Sequence, residues 1–160
     1  MEEFIGRIPP HSVEAEQSVI GAMIVNKEAI NTALEMIRPD DFYKEANKEI
    51  YEAIKVLFNK NEPVDIITLS EELKRRGTLE NIGGITYLAN LSSSVATTAN
   101  IGYYCKIVEN KSILRKLIKS SDGIMTIAYE DTEEVNAIIE KAEKNIFDIT
   151  QGRHRQGFAP

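Results

Sequence analysis

Cysteine is all but missing from this chain of 160 residues, in which Cys105 stands alone. A single thiol closes no internal disulfide and builds no thiolate cluster for zinc, and such usage suits a reducing cytoplasm. Histidine is nearly as scarce: His11 and His154 lie near opposite ends, so a metal site would have to be built from carboxylates. A basic surplus is lacking too. The 25 acidic residues outnumber the 19 basic ones, for a net charge of −6, whereas a domain that grips nucleic acid by its phosphates normally carries the opposite balance. No stretch comes near the roughly 18 apolar residues of a membrane span, and the opening Met1-Glu2-Glu3 is unlike a secretory leader. The expectation is a cytoplasmic protein with no membrane association and weak or no DNA binding of its own.

Catalytic motifs are wanting as well. No glycine is followed by lysine, so the phosphate cradle of a P-loop ATPase is absent, and so is His-Glu-x-x-His. Serine and cysteine nucleophiles have no histidine on a structured element to act as base. The carboxylates fall at helical surface positions, where solvation is their ordinary role. No catalytic residue, metal or cofactor is expected in this chain.

What is present is helical periodicity almost throughout. Pro9-Pro10 keeps residues 1–11 as an extended arm, and Ser12 reads as the N-cap of a helix carrying Val13, Val19, Ile20, Met23 and Ile24. A second helix from about Glu28 ends near Arg38, before Pro39, and a third runs from Lys44 to Asn59. Asn61-Glu62-Pro63 makes a turn, Val64 to Thr68 an extended connector, and Thr68-Leu69-Ser70-Glu71 matches a capping box for a helix stopping at Gly77. Gly83-Gly84 precedes a short helix with Ile85, Leu88 and Leu91, and Ser92-Ser93-Ser94 marks a loop. Gly21 offers room for a close helix contact.

From Thr98 the character changes. Ala99 to Tyr129 contains no proline and reads as one long helix, and Asp131 reads as the cap of another that ends near Thr150. The fold class expected is all-α: a compact multi-helix head over 1–97, a long antiparallel two-helix hairpin over 98–150, and the start of a linker over 151–160. A two-helix hairpin has one inner seam, yet apolar residues extend beyond a single stripe. Either the hairpin folds back on the head or it pairs with another copy, and the second reading is adopted. The candidates for self-association are Tyr104, Val108, Leu114, Leu117, Ile118, Ile124 and Ile139, some of which must instead fill the seam.

Single residues have bland readings beside functional ones. Cys105 on a long helix is a small packing residue before it is a redox group. Tyr103 and Tyr104 lack surrounding basic residues, so packing outweighs base stacking, and Arg153-His154-Arg155 reads as a solvated cluster before a DNA contact.

Five strings in order nonetheless carry a resemblance: Ile8-Pro9-Pro10-His11-Ser12-Val13-Glu14-Ala15-Glu16-Gln17-Ser18-Val19-Ile20-Gly21, Asp40-Asp41-Phe42-Tyr43, Pro63-Val64-Asp65-Ile66-Ile67-Thr68-Leu69, Ile82-Gly83-Gly84-Ile85-Thr86-Tyr87-Leu88 and Thr98-Ala99-Asn100-Ile101-Gly102-Tyr103-Tyr104. Together, over residues 8 to 108, they resemble the N-terminal domain of bacterial replicative DNA helicases of the DnaB family. That resemblance implies a collar of the hexameric ring, a trimer of dimers whose hairpins pair between subunits. It implies docking of the C-terminal helicase-binding domain of primase, with a loader engaging some of these helicases near this region. It also implies a parent ATP-dependent helicase using ATP and magnesium in a domain that this sequence does not contain. Glu14, Tyr87, Arg115 and Ile118 are the primase-docking candidates. A DNA-binding helical domain and a stand-alone helical adaptor are the rival readings.

Overall fold

A computed structural model describes residues 7–157 apart from residue 96, and among these residues every regular element is helical. The elements are α1 (Val13–Val25), α2 (Lys27–Met36), a 3-10 turn (Pro39–Asp41), α3 (Glu45–Asn59), α4 (Ile66–Arg76), α5 (Gly84–Ser93), α6 (Ile101–Glu130) and α7 (Val135–Gly157). Two compact units emerge: a head, His11–Asn110, and a second unit of Met1–Pro10 with Lys111–Pro160. The division falls inside α6, at residues 110 and 111, and not at 97 and 98, because the first turns of α6 carry residues of the head's core.

Local chemistry accounts for most helix ends in the head. The Ser12 hydroxyl accepts from the Ala15 amide at 3.1 Å, the expected N-cap. Asn26 ends α1 in extended conformation and caps α2, its Oδ1 accepting from the Glu28 amide at 2.8 Å. The Thr68–Glu71 capping box is corrected one turn earlier. Asp65 is the N-cap of α4, its carboxylate accepting from the Thr68 amide at 2.9 Å while the Thr68 hydroxyl accepts from the Asp65 amide at 3.0 Å. A threonine at the third helical position plays the part usually given to glutamate, so Ile66 and Ile67 belong to the helix and not to an extended connector. Gly77 closes α4 at φ +75°, as its left-handed preference requires.

The head's core unites α1 through α5 with the start of α6. Val19, Ile20, Met23, Ile50, Ile54, Leu69, Leu73 and Leu88 are buried together with Cys105 and Val108. Gly21 is where α1 and α5 approach: a Cβ there would lie 2.4 Å from the Leu91 carbonyl oxygen and 2.6 Å from Val95 Cγ2. Burial pushes the Cys105 thiol up to about 12, with Glu109 adding to the effect, which holds it neutral and agrees with its reading as a packing residue.

Two polar side chains close the ends of helices from a distance. Glu16, buried on α1, accepts from the Tyr43 amide at 2.7 Å, the Lys44 amide at 3.3 Å and Asn47 Nδ2 at 3.1 Å. Its carboxylate thus caps the N-terminus of α3, where Lys44 makes no side-chain cap of its own and negative charge is favoured. Tyr51 donates to the Ile37 carbonyl at 2.6 Å, just past the end of α2, and burial raises its phenol well above the ordinary value.

In the second unit, α6 runs through Gly123 without a break to Glu130, and four residues lead into α7. Asp131 is corrected from helix cap to turn residue. It takes positive φ (+53°), a conformation aspartate tolerates, and α7 begins only at Val135. That helix persists to Gly157, past the expected linker start at 151. Residues 1–6 of the arm, the side chains of Arg153, His154 and Arg155, and residues 158–160 lie outside the description.

Candidate interaction surface

Burial sorts the apolar residues of α6 and α7 into two rows on each helix. Ile113, Leu117, Ile124 and Ile127 on α6, with Ile138, Ala142 and Ile149 on α7, are half-buried and recur at spacings of three, four and seven. That is the pattern of a seam between two helices. Ser120 lies on the same α6 row, and its hydroxyl is buried. Beside this seam runs an uncovered row: Leu114 at 43% and Ile118 at 43% exposure on α6, and Val135 at 71%, Ile139 at 48% and Ile146 at 43% on α7. Tyr129 and Phe147 are exposed as well.

The seven self-association candidates therefore divide. Val108 is corrected, being buried in the core of the head, and Tyr104 is half-buried against that core. Leu117 and Ile124 lie in the half-buried seam. Leu114, Ile118 and Ile139 remain on the open row. Val135 and Ile146 join this row from outside the seven candidates, although their helical spacing with Ile139 is visible in the sequence. A step of about 100° per residue separates 135-139-146 from 138-142-149, and that rotation is the signal that identifies them.

Of the four docking candidates, Glu14 is exposed on the first turn of α1. Tyr87 is half-buried, its hydroxyl donating to Asn47 Oδ1 at 2.6 Å and accepting from Gln17 Nε2 at 3.4 Å; it thereby joins the Glu16 network. Arg115 Nη1 donates to the Pro10 carbonyl at 2.8 Å, tying the arm to α6 within one unit. Ile118 is on the open row. The structure groups Glu14 and Tyr87 in the head and Arg115 and Ile118 in the second unit.

Elsewhere the head offers a cleft of about 570 Å³ of mixed lining, with Met23, Ile24, Phe58 and Val64 beside Asn26, Lys27, Asn61 and Glu62. Among the described residues no group of three histidine, cysteine, aspartate or glutamate side chains converges to hold a metal. No described helix is long and apolar enough to cross a membrane.

The helical head closes on itself, whereas the helical pair leaves a row of apolar side chains exposed. The sequence profile of the DnaB-like helicase N terminal domain matches residues 8–110, and the chain belongs to that family. It is 43% identical over 152 residues to the replicative DNA helicase DnaC of Bacillus subtilis, covering 95% of this chain and 34% of the relative. It is 40% identical over 157 residues to the replicative DNA helicase DnaB of Geobacillus stearothermophilus, covering 98% and 35%. The chain thus spans about a third of the length of these relatives. Among solved structures it is similar to the N-terminal domain of DnaB helicase from Mycobacterium tuberculosis, with TM-score 0.81 and 41% identity over 88% of this chain and 99% of that one. It is also similar to a DnaB-like replicative helicase described with its interactions with primase, with TM-score 0.67 and 27% identity over 84% of this chain and 31% of that one.

Proposed function

We propose that this chain is the collar of a replicative helicase ring, holding neighbouring copies together and docking the C-terminal helicase-binding domain of primase. The observation that carries the reading is the uncovered apolar row of Leu114, Ile118, Val135, Ile139 and Ile146, on a chain whose relatives are replicative helicases extending well past the matched third. In the whole protein, unwinding driven by ATP and magnesium belongs to the remainder, the loader is a further partner, and the setting is the bacterial cytoplasm. The collar's own work is association, without catalysis.

For primase docking, Ile118 and Arg115 offer an apolar and a cationic group about one turn apart on α6 in the second unit, and separately, in the head, Glu14 offers an exposed carboxylate. Tyr87, whose hydroxyl is engaged by Asn47, positions its ring more than it contributes a polar contact. That a similar DnaB-like replicative helicase is described with its interactions with primase supports docking of primase, without bearing on the residues. Titration of the chain with the primase domain in a calorimeter tests it. The wild-type chain is expected to bind, and Ile118→Asp to bind at least about tenfold more weakly, the cost of a desolvated charge at an interface. Absence of binding by the wild-type chain defeats the docking reading, and unchanged affinity of the variant removes Ile118 from it.

A further inference from the structure

We infer that charge decides how two copies meet: α6 of one lies on α7 of the other, the lysine border of α6 against the glutamate border of α7. This rests on the self-association proposed above and adds its geometry. With about 100° of turn per residue, Lys111, Arg115 and Lys119 form a row on α6, which the exposed Asp122 continues one turn later as its single acid. That row adjoins Leu114 and Ile118 on the side away from the half-buried seam. On α7 the order repeats with opposite sign: the seam, then the open row of Val135, Ile139 and Ile146, then Glu143 and Glu140.

In both helices this order runs in the same rotational sense along the chain. Helices joined by a short turn and sharing a seam run in opposite directions. The two open rows consequently come to one face of the pair, bases along one border and acids along the other. A twofold axis parallel to the helices lays this face on its copy, with apolar rows in contact and each basic border on an acidic one. A twofold axis across the helices would instead set α6 on α6 and like charges against each other, which opposes that arrangement. The charged borders thus act with the apolar row, selecting one of two dimers that the apolar contact alone would allow.

Charge reversal in the 160-residue chain tests this by sedimentation, with circular dichroism confirming helical content. One variant carries Lys111→Glu and Lys119→Glu, the other Glu140→Lys and Glu143→Lys. Each alone should associate about tenfold or more weakly than the parent chain, whereas an equimolar mixture, in which every border again meets its opposite, should recover association. Reversals that leave association unchanged, or a mixture no better than its components, overturn the charge-selected geometry while self-association stands. A parent chain that is monomeric throughout the micromolar range overturns both.

Discussion

Isoleucines show how differently the two units handle the same side chain. In the head, Ile20, Ile50 and Ile54 lose all exposure, whereas Ile118, Ile139 and Ile146 in the helical pair keep between 43% and 48%. The head places five helices and the start of a sixth around its core, so an apolar stripe on any of them finds a neighbour. Two helices offer each other one seam, and a second stripe beside that seam has nowhere to go within the unit. Polar groups follow suit. In the head, buried Glu16 and Tyr51 spend their hydrogen bonds on the open ends of other helices, so the unit closes chemically as well as sterically. A unit that closes is stable by itself; one that leaves a continuous row of aliphatic groups in water gains by finding a partner.

The largest effect that would sharpen this contrast is expected at Glu16. Glu16→Ala removes the acceptor of the part-buried Tyr43 and Lys44 amides and of the buried Asn47 side-chain amide at the start of α3. The expected loss is about 3 kcal/mol, read as a lower urea midpoint with an unchanged slope. A loss near zero would mean that the head's polar interior is not what closes it.

A smaller effect, dependent on acid, is expected at Glu49 on the head's surface. The hydrogen bond from Arg76, at 2.6 Å, holds the Glu49 carboxyl below its ordinary value of 4.5, assisted by the Thr78 hydroxyl. A carboxylate whose pKa is depressed by folding stabilises the fold above its ordinary pKa, and that contribution is lost as pH falls through the depressed value. Glu49→Gln should therefore cost up to about 1 kcal/mol at neutral pH and converge with the parent chain at an acid pH well below the ordinary carboxyl value. Urea titrations at the two pH values check it; a difference that grows towards acid pH would reverse the assignment.

Much of this architecture was legible because it is written in local rules. Ser12 and Gly77 sit where capping chemistry puts them, and proline at 39 marks the end of α2 to within a few residues. Where reading failed, two local rules competed. Thr68 with Glu71 and Asp65 with Thr68 both fit a capping box, and the structure uses the earlier one because Ile66 is half-buried against the core as a helical residue. Asp131 suits an N-cap as well as a left-handed turn, and nothing in its neighbours decides between them. The candidate surface was harder, since periodicity says that Val108 and Ile118 are both apolar on one long helix but not where the head's core stops. Val108 lies before that limit and Ile118 beyond it. The Glu16 network, joining residues about thirty positions apart, left no mark that spacing could reveal.

The smallest effect on a single copy is expected at Ile139, and its smallness is the point. Replacing Ile139 by asparagine removes aliphatic area that is already half in water, on a helix that tolerates the change in propensity at small cost. The variant's melting temperature, measured at high dilution, should correspond to a loss below about 0.5 kcal/mol. Raising the concentration should then separate the two chains, because association stabilises only a species that associates. The parent's melting point should climb with concentration and the variant's should climb less. A loss at high dilution as large as a core truncation, about 2 kcal/mol or more, would place Ile139 inside a closed single copy, and the distinction between the two units would disappear.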